Sequence, residues 1–263
     1  RDCLLSRGLG DVYKRQLCNK KEEIRRVIVN RIVINNKLER STRIREAYRT
    51  LRTNIEFTGI ENRVIAVTSC LPGDGKTTVS FQMAKTFVDA GYKTLLVDAD
   101  MRKSVLANRL DATGMEQGLS HFLSGYAGVQ EIVYSTDIHN LYMIPTGVFP
   151  VNPTELLGNN RFETLIAAVR NTFEYIIIDT PPIGSVVDAA VIAKHCDGSI
   201  LVLAEDKASR MEARRAVEQI RTANPNILGA VLNKVEIGRG SYYAKNYKNY
   251  YQKNYYEDEK RKK

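Results

Sequence analysis

One stretch constrains the fold more than any other: Val64-Ile65-Ala66-Val67-Thr68-Ser69-Cys70-Leu71-Pro72-Gly73-Asp74-Gly75-Lys76-Thr77-Thr78. An apolar, β-branched run ends in a glycine-rich turn, and a lysine and two threonines follow. A helical pattern then begins at Val79 and continues through Met83, Ala84, Phe87 and Val88. Strand, loop and helix in this order make an anion cradle. The glycines let successive backbone N–H groups turn inward, and the helix N-terminus adds its partial positive charge. Lys76 brings a full charge for the β- and γ-phosphates of a nucleotide, and the Thr77 hydroxyl suits Mg2+. The general pattern is G-x-x-x-x-G-K-[ST]; Cys70 stands at the leading glycine position, so this loop is a variant. Pro72, Gly73, Asp74, Gly75, Lys76, Thr77 and Thr78 are the nucleotide-binding candidates.

Further buried strands alternate with amphipathic helices. The pattern predicts a strand over Lys93–Asp100, short helices and a strand (Leu141–Ile144) within 113–146, and one helix over Pro153–Arg170. It then predicts a strand at Tyr175–Asp179, a helix at Val186–His195, a strand at Ser199–Leu203, a helix at Ser209–Ala223 and a last strand at Ile227–Asn233. Continuous apolar strands between helices indicate an α/β fold with a mostly parallel sheet covered on both faces. Ligands of such folds sit beyond the carboxyl ends of the strands, where Asp98, Asp100 and Asp179 all fall. Asp98 and Asp100, two residues apart, are expected on one face of their strand. One suits the Mg2+ shell while the other accepts a proton. Thr77, Asp98, Asp100 and Asp179 are the metal candidates.

The formal charge of +9 is unevenly placed. Residues 1–63 hold 16 Lys/Arg against 8 Asp/Glu, while the remaining 200 hold 23 against 22. The body is nearly neutral and the N-terminal part is basic, suited to nucleic acid, an anionic membrane surface or an acidic partner, or simply to water. Residues 1–16 show no period and read as an extraneous leader. Residues 17–42 form a basic arm whose β-branched patch, Val27–Ile34, suits an edge strand or a linker. A helix is expected over 43–57, with Ser41 and Thr42 as capping residues and Ile44, Tyr48, Leu51 and Ile55 as its apolar stripe. Glu46, Arg49 and Arg52 recur every third residue on another face. The main folded domain is expected over 43–237. No apolar run is long enough to span a bilayer, and the four cysteines show neither C-x-x-C nor metal spacing. These features suggest a reduced, cytoplasmic protein.

From residue 238 the composition changes. Residues 238–263 lose their aliphatic side chains and hold seven of the chain's 14 tyrosines: Tyr242, Tyr243, Tyr247, Tyr250, Tyr251, Tyr255 and Tyr256. Such a segment cannot offset its ordering entropy by burial and is expected to be disordered. An adhesive or base-stacking tail is one reading; a tail that is itself a substrate is the sharper one.

Together these features resemble the bacterial tyrosine kinases of capsule and exopolysaccharide synthesis. The resemblance runs from about Glu46 to the C-terminus. Ser69–Thr77 matches a variant Walker A. Leu95–Arg102 matches the family's Walker A′, three apolar residues then D-x-D-x-R. Ile176–Pro182 matches Walker B, and the tyrosine cluster ends the chain. Glu46, Arg49 and Arg52 match an E-x-x-R-x-x-R subunit-contact motif.

The resemblance implies a P-loop NTPase fold of the MinD/ParA-like type and Mg-ATP-dependent autophosphorylation of the tail tyrosines, in trans, within a ring. It implies Asp98 as base with Asp100 as runner-up, Lys76 and Arg102 in catalysis, and Asn233 near the adenine. It further implies a membrane activator of the polysaccharide co-polymerase type that recruits the chain to the inner face of the membrane. A cognate tyrosine phosphatase and protein tyrosine substrates complete the expected partners, with no nucleic acid among them. The rival class is a partitioning or site-selection ATPase acting as a nucleotide-dependent binding switch. Such proteins carry an extra lysine early in the loop, where this chain has Leu71.

Overall fold

The structure is a computed structural model that describes residues 31–36, 38 and 41–235. Among these residues nine strands form one sheet: β1 (Arg31–Ile34), β2 (Val64–Ser69), β3 (Thr94–Asp98), β4 (Ala112–Thr113), β5 (Tyr134–Thr136), β6 (Leu141–Ile144), β7 (Tyr175–Asp179), β8 (Gly198–Ala204) and β9 (Ile227–Asn233). Their spatial order is β4-β1-β5-β6-β3-β7-β2-β8-β9. The pairs are parallel except β1–β4 and β5–β6.

The strands are apolar on both faces because both are covered. Val64 and Ala66 on β2, Leu95 and Val97 on β3, and Ile176 and Ile178 on β7 point to one face. There they meet Phe162, Leu165, Ile166 and Val169 of a helix over Asn160–Arg170. Their strand neighbours Ile65, Val67, Leu96 and Ile177 point the other way, onto Phe81, Met83 and Phe87. That second helix, Lys76–Asp89, follows the glycine-rich loop. The alternation is the two-residue period of a strand, so the same residues that make the strands decide which helix lies on which side.

Several sequence expectations are corrected. The Val27–Ile34 patch supplies β1, and β1 is not an edge: the two-residue β4 lies outside it and β5 inside, with Ile32 and Ile34 fully buried. The sheet therefore takes in residues before the expected domain start at 43. The strand expected to reach Asp100 stops at Asp98, so Asp100 lies in the turn beyond it. The single helix expected over Pro153–Arg170 is two, Pro153–Leu157 and Asn160–Arg170. The break at Gly158-Asn159 has a local cause: the Asn159 side chain accepts a hydrogen bond from the Arg161 N–H and starts a new helix.

The helices, in chain order, are α1 (Thr42–Phe57), α2 (Lys76–Asp89), α3 (Leu106–Leu110), α4 (Leu119–Leu123), α5 (Val129–Ile132), α6 (Pro153–Leu157), α7 (Asn160–Arg170), α8 (Asp188–Ala193) and α9 (Arg210–Ala223). Ser41 stands at the N-cap of α1 but its side chain makes no capping bond. On α1, Ile55 is buried, Tyr48 and Leu51 pack on the α2 side of the sheet, and Ile44 is exposed.

Candidate functional site

The loop between β2 and α2 closes on itself. Asp74 is fully buried, and its Oδ2 accepts from the Leu71 N–H at 2.8 Å. Gly73 and Gly75 have φ of +80° and +99°, a region that side chains disfavour. At Gly75 there is also no room, because a Cβ would lie 2.1 Å from the Asn233 amide nitrogen.

Inside the cradle, three buried carboxylates surround one buried lysine. Lys76 Nζ donates to Asp100 Oδ2 at 2.7 Å and lies 3.9 Å from Asp179 Oδ1. Burial works against its charge, but Asp179 and Asp100, with Asp98 behind them, outweigh it and hold the ammonium above the usual lysine range. Asp98 and Asp179 end neighbouring strands in register, side by side on β3 and β7. Asp98 accepts from the Ser104 hydroxyl and, at 3.3 Å, from the Asp100 N–H. Burial first, and the Asp179 charge second, push its carboxyl from the ordinary 3.8 to about 7. Burial also raises Asp179, against the Lys76 charge and hydrogen bonds from Thr77 and Ser80.

The donor set is one of hard oxygens: carboxylates, and the Thr77 hydroxyl beside Asp179. Among the described residues no three His, Cys, Asp or Glu side chains are grouped to hold a metal by themselves. Carboxylate and hydroxyl oxygens are the ligands that Mg2+ takes together with phosphate oxygens.

The other site candidates are placed as follows. Asp100 joins the cluster from the turn, where its Oδ1 accepts from the Lys103 N–H at 3.0 Å. Arg102 does not join it. Its guanidinium makes a two-pronged pair with the buried Asp188, at 2.7 and 3.1 Å, and a third bond to Thr154 at 3.0 Å. The charge is spent on joining the Walker A′ turn to α6 and α8. Thr78 faces outward and accepts from Arg109 at 2.9 Å. Asn233 lies against the loop backbone, donating to the Asp74 carbonyl at 2.8 Å. Glu46 and Arg49 are exposed and paired at 2.6 Å. Arg52 is turned inward, donating to the Thr86 carbonyl of α2 at 3.1 Å. The seven tail tyrosines lie outside the described residues.

Two residues were missed by sequence reasoning. Lys207, in the turn after β8, donates to the Pro72 carbonyl and lies 3.5 Å from the Asp74 carboxylate. Lys234, just past β9, donates to the Gly73 carbonyl at 2.8 Å. With Asn233 they hold three successive loop carbonyls. Only the Asn233-Lys234 pair left a trace in the sequence; nothing local marks Lys207.

A glycine-rich loop opening onto a buried lysine, at the carboxyl ends of a mainly parallel sheet, defines the chain as a nucleotide-binding protein of the P-loop ATPase class. Residues 62–227 match the family model described as an AAA domain. Over 210 residues the chain is 44% identical to the tyrosine-protein kinase CpsD of Streptococcus agalactiae serotype III (strain NEM316), covering 80% of this chain and 90% of that one. The crystal structure of the chimerical protein CapA2B2 superposes with a TM-score of 0.72 at 30% identity, over 82% of this chain and 98% of that one. The septum site-determining protein MinD of Pyrococcus horikoshii, solved with Mg-ADP, shares the fold at a TM-score of 0.59 and 24% identity, over 67% of this chain and 72% of that one. The chain belongs to the bacterial tyrosine-protein kinases. Among its described residues no helix is long and apolar enough to cross a membrane.

Proposed function

We propose that this kinase transfers the γ-phosphoryl group of Mg-ATP to tyrosines of its own C-terminal segment, presented by a neighbouring copy, in the control of capsule or exopolysaccharide synthesis. One observation carries the reading: at the mouth of a phosphate loop Lys76 bonds Asp100 at 2.7 Å and lies 3.9 Å from Asp179, with Asp98 in register beside Asp179 and its carboxyl raised by burial to about 7. Asp98 accepts the phenol proton, since a base works best with a pKa near the working pH. The phenolic oxygen then bonds to the γ-phosphorus, and the bridging oxygen leaves with ADP. Lys76 exchanges its bond to Asp100 for the β- and γ-phosphate oxygens and offsets their charge. Thr77 and Asp179, with Asp98 and Asp100 beside them, are the residues that would hold Mg2+, which when bound would supply charge neutralisation for the phosphates. Asn233 serves the nucleotide through the loop it holds. Arg102 serves by positioning the turn that carries Asp98 and Asp100.

The exposed Glu46 and Arg49 suit contact with another copy in a ring. The partners of the proposal are a membrane activator, which recruits the chain to the inner face of the membrane, a tyrosine phosphatase and other protein substrates. Each phosphotyrosine adds about −1.5 to −2, so seven add roughly −10 to −14, beyond the formal +9 of the chain. Full phosphorylation is expected to loosen the ring; light scattering that shows an unchanged oligomer removes this part.

The direct test is intact mass and tyrosine mapping after incubation with Mg-ATP and the activator's cytosolic segment, with Lys76→Met in parallel. Several phosphates on Tyr242–Tyr256, absent from the variant, are expected. ATP turnover without tyrosine modification would shift the assignment to a nucleotide-dependent binding switch.

A further inference from the structure

The segment between β6 and α6 is an apolar strap fastened at both ends to the Walker A′ turn. At one end the Thr146 hydroxyl donates to the Asp98 carbonyl at 3.1 Å. At the other, Thr154 shares Asp188 with Arg102, donating to its Oδ1 at 2.6 Å. Between these anchors Val148, Phe149 and Val151 are 68%, 55% and 96% exposed. Three large apolar side chains in four residues, presented to water, mark a contact surface. Phe149 is three residues from Thr146, so its Cα lies within about 11 Å of the Thr146 Cα.

The acceptor sequence has a matching feature. Tyr242-Tyr243, Tyr250-Tyr251 and Tyr255-Tyr256 are adjacent pairs, and Tyr247 has others three and four residues away. Any tail tyrosine at the base therefore brings a second ring along. The described chain ends at Val235, just past Lys234 on the phosphate loop. The following 28 residues span up to roughly 100 Å when extended, enough to reach another copy.

We propose that the Val148–Val151 strap is the acceptor dock of this kinase: it holds the companion ring of a tyrosine pair from the tail of a second copy while the other tyrosine meets Asp98. The proposal rests on the kinase reading above. It makes paired aromatics, and not a tyrosine alone, the preferred acceptor.

The test uses the full chain, Mg-ATP and a synthetic peptide of residues 238–263, each varied with the other saturating. Replacing the strap residues together (Val148→Ser, Phe149→Ser, Val151→Ser) is expected to raise the peptide KM about tenfold while the KM for ATP moves by less than about twofold. On the unaltered protein, a peptide that keeps Tyr251 alone and carries serine at the other six positions is expected to show a KM about tenfold higher than the full peptide. That single-tyrosine peptide should no longer distinguish the two proteins. An unchanged peptide KM in the strap variant, or a single-tyrosine peptide as good as the full one, overturns the dock. A variant that loses only stimulation by the activator's cytosolic segment assigns the strap to the activator and also overturns it. No phosphotyrosine from the unaltered protein on any peptide, with activator present, overturns the kinase reading itself.

Discussion

The phosphate loop has two faces built on different principles. The inner face sets one buried lysine among three buried carboxylates, within reach of where phosphate charge must be neutralised. The outer face sets Lys207, Asn233 and Lys234 on the carbonyls of Pro72, Asp74 and Gly73. The inner groups are buried and work in a medium where charge is strong; Lys207 and Lys234 are more exposed, and their charges are screened. The inner face is therefore expected to govern rate, and the outer face to govern nucleotide affinity by fixing the shape of the loop.

Lys76→Met should have the largest effect, lowering kcat/KM for tyrosine phosphorylation by roughly 10³-fold or more. Asp98→Asn should lower kcat by about 10²- to 10⁴-fold with a small change in ATP affinity. In the unaltered enzyme kcat/KM should rise with pH through about 7 as Asp98 ionises, and the variant's residual activity should lack that limb. Lys207→Met should raise the KM for ATP about tenfold and change kcat by less than about threefold, with Lys207→Arg restoring most of the loss. A Lys207→Met enzyme that loses kcat as severely as Lys76→Met would break the division between the faces.

Stability sharpens the same contrast. The folded pKa of Asp98, about 7, exceeds the ordinary 3.8. Below about pH 4 the group is protonated folded or unfolded and costs nothing. As pH rises from there to 7 the unfolded chain gains by ionising first, so the folded state loses stability. Asp98→Asn should therefore melt at a higher temperature than the unaltered protein at pH 8, with the difference closing as pH falls toward 4. The smallest effects belong to α1. Arg52→Ala should cost about 1 kcal/mol by removing the bond to Thr86. Exposed Glu46→Ala and Arg49→Ala should change stability by less than ~0.5 kcal/mol, so a smaller oligomer in those variants would report contact between copies. Chemical denaturation and light scattering measure the two separately.

The inner face was legible because its information is local: an apolar run, a glycine turn and an acidic strand end each sit within a few residues. β7 was placed residue for residue from Tyr175-Ile176-Ile177-Ile178-Asp179 for the same reason. The outer face was not, because Lys207 meets a loop 135 residues earlier and no pattern links them. Arg102 lies outside the cluster for the opposite reason: its motif is local, but its partner Asp188 is 86 residues away. β5 was too short to carry a period, and the helix break at Asn159 overrode an unbroken apolar pattern because a side-chain cap is a single-residue event.

The strand order also sets when the site can exist. Among the described residues β2, which carries the phosphate loop, pairs with β7 and β8, more than 100 residues later. Lys207, Asn233 and Lys234 come later still. A chain emerging from the ribosome thus makes its nucleotide loop early and its walls last, and such distant pairings close slowly. The nucleotide site is therefore complete only once β7, β8 and β9 have joined β2 in the sheet.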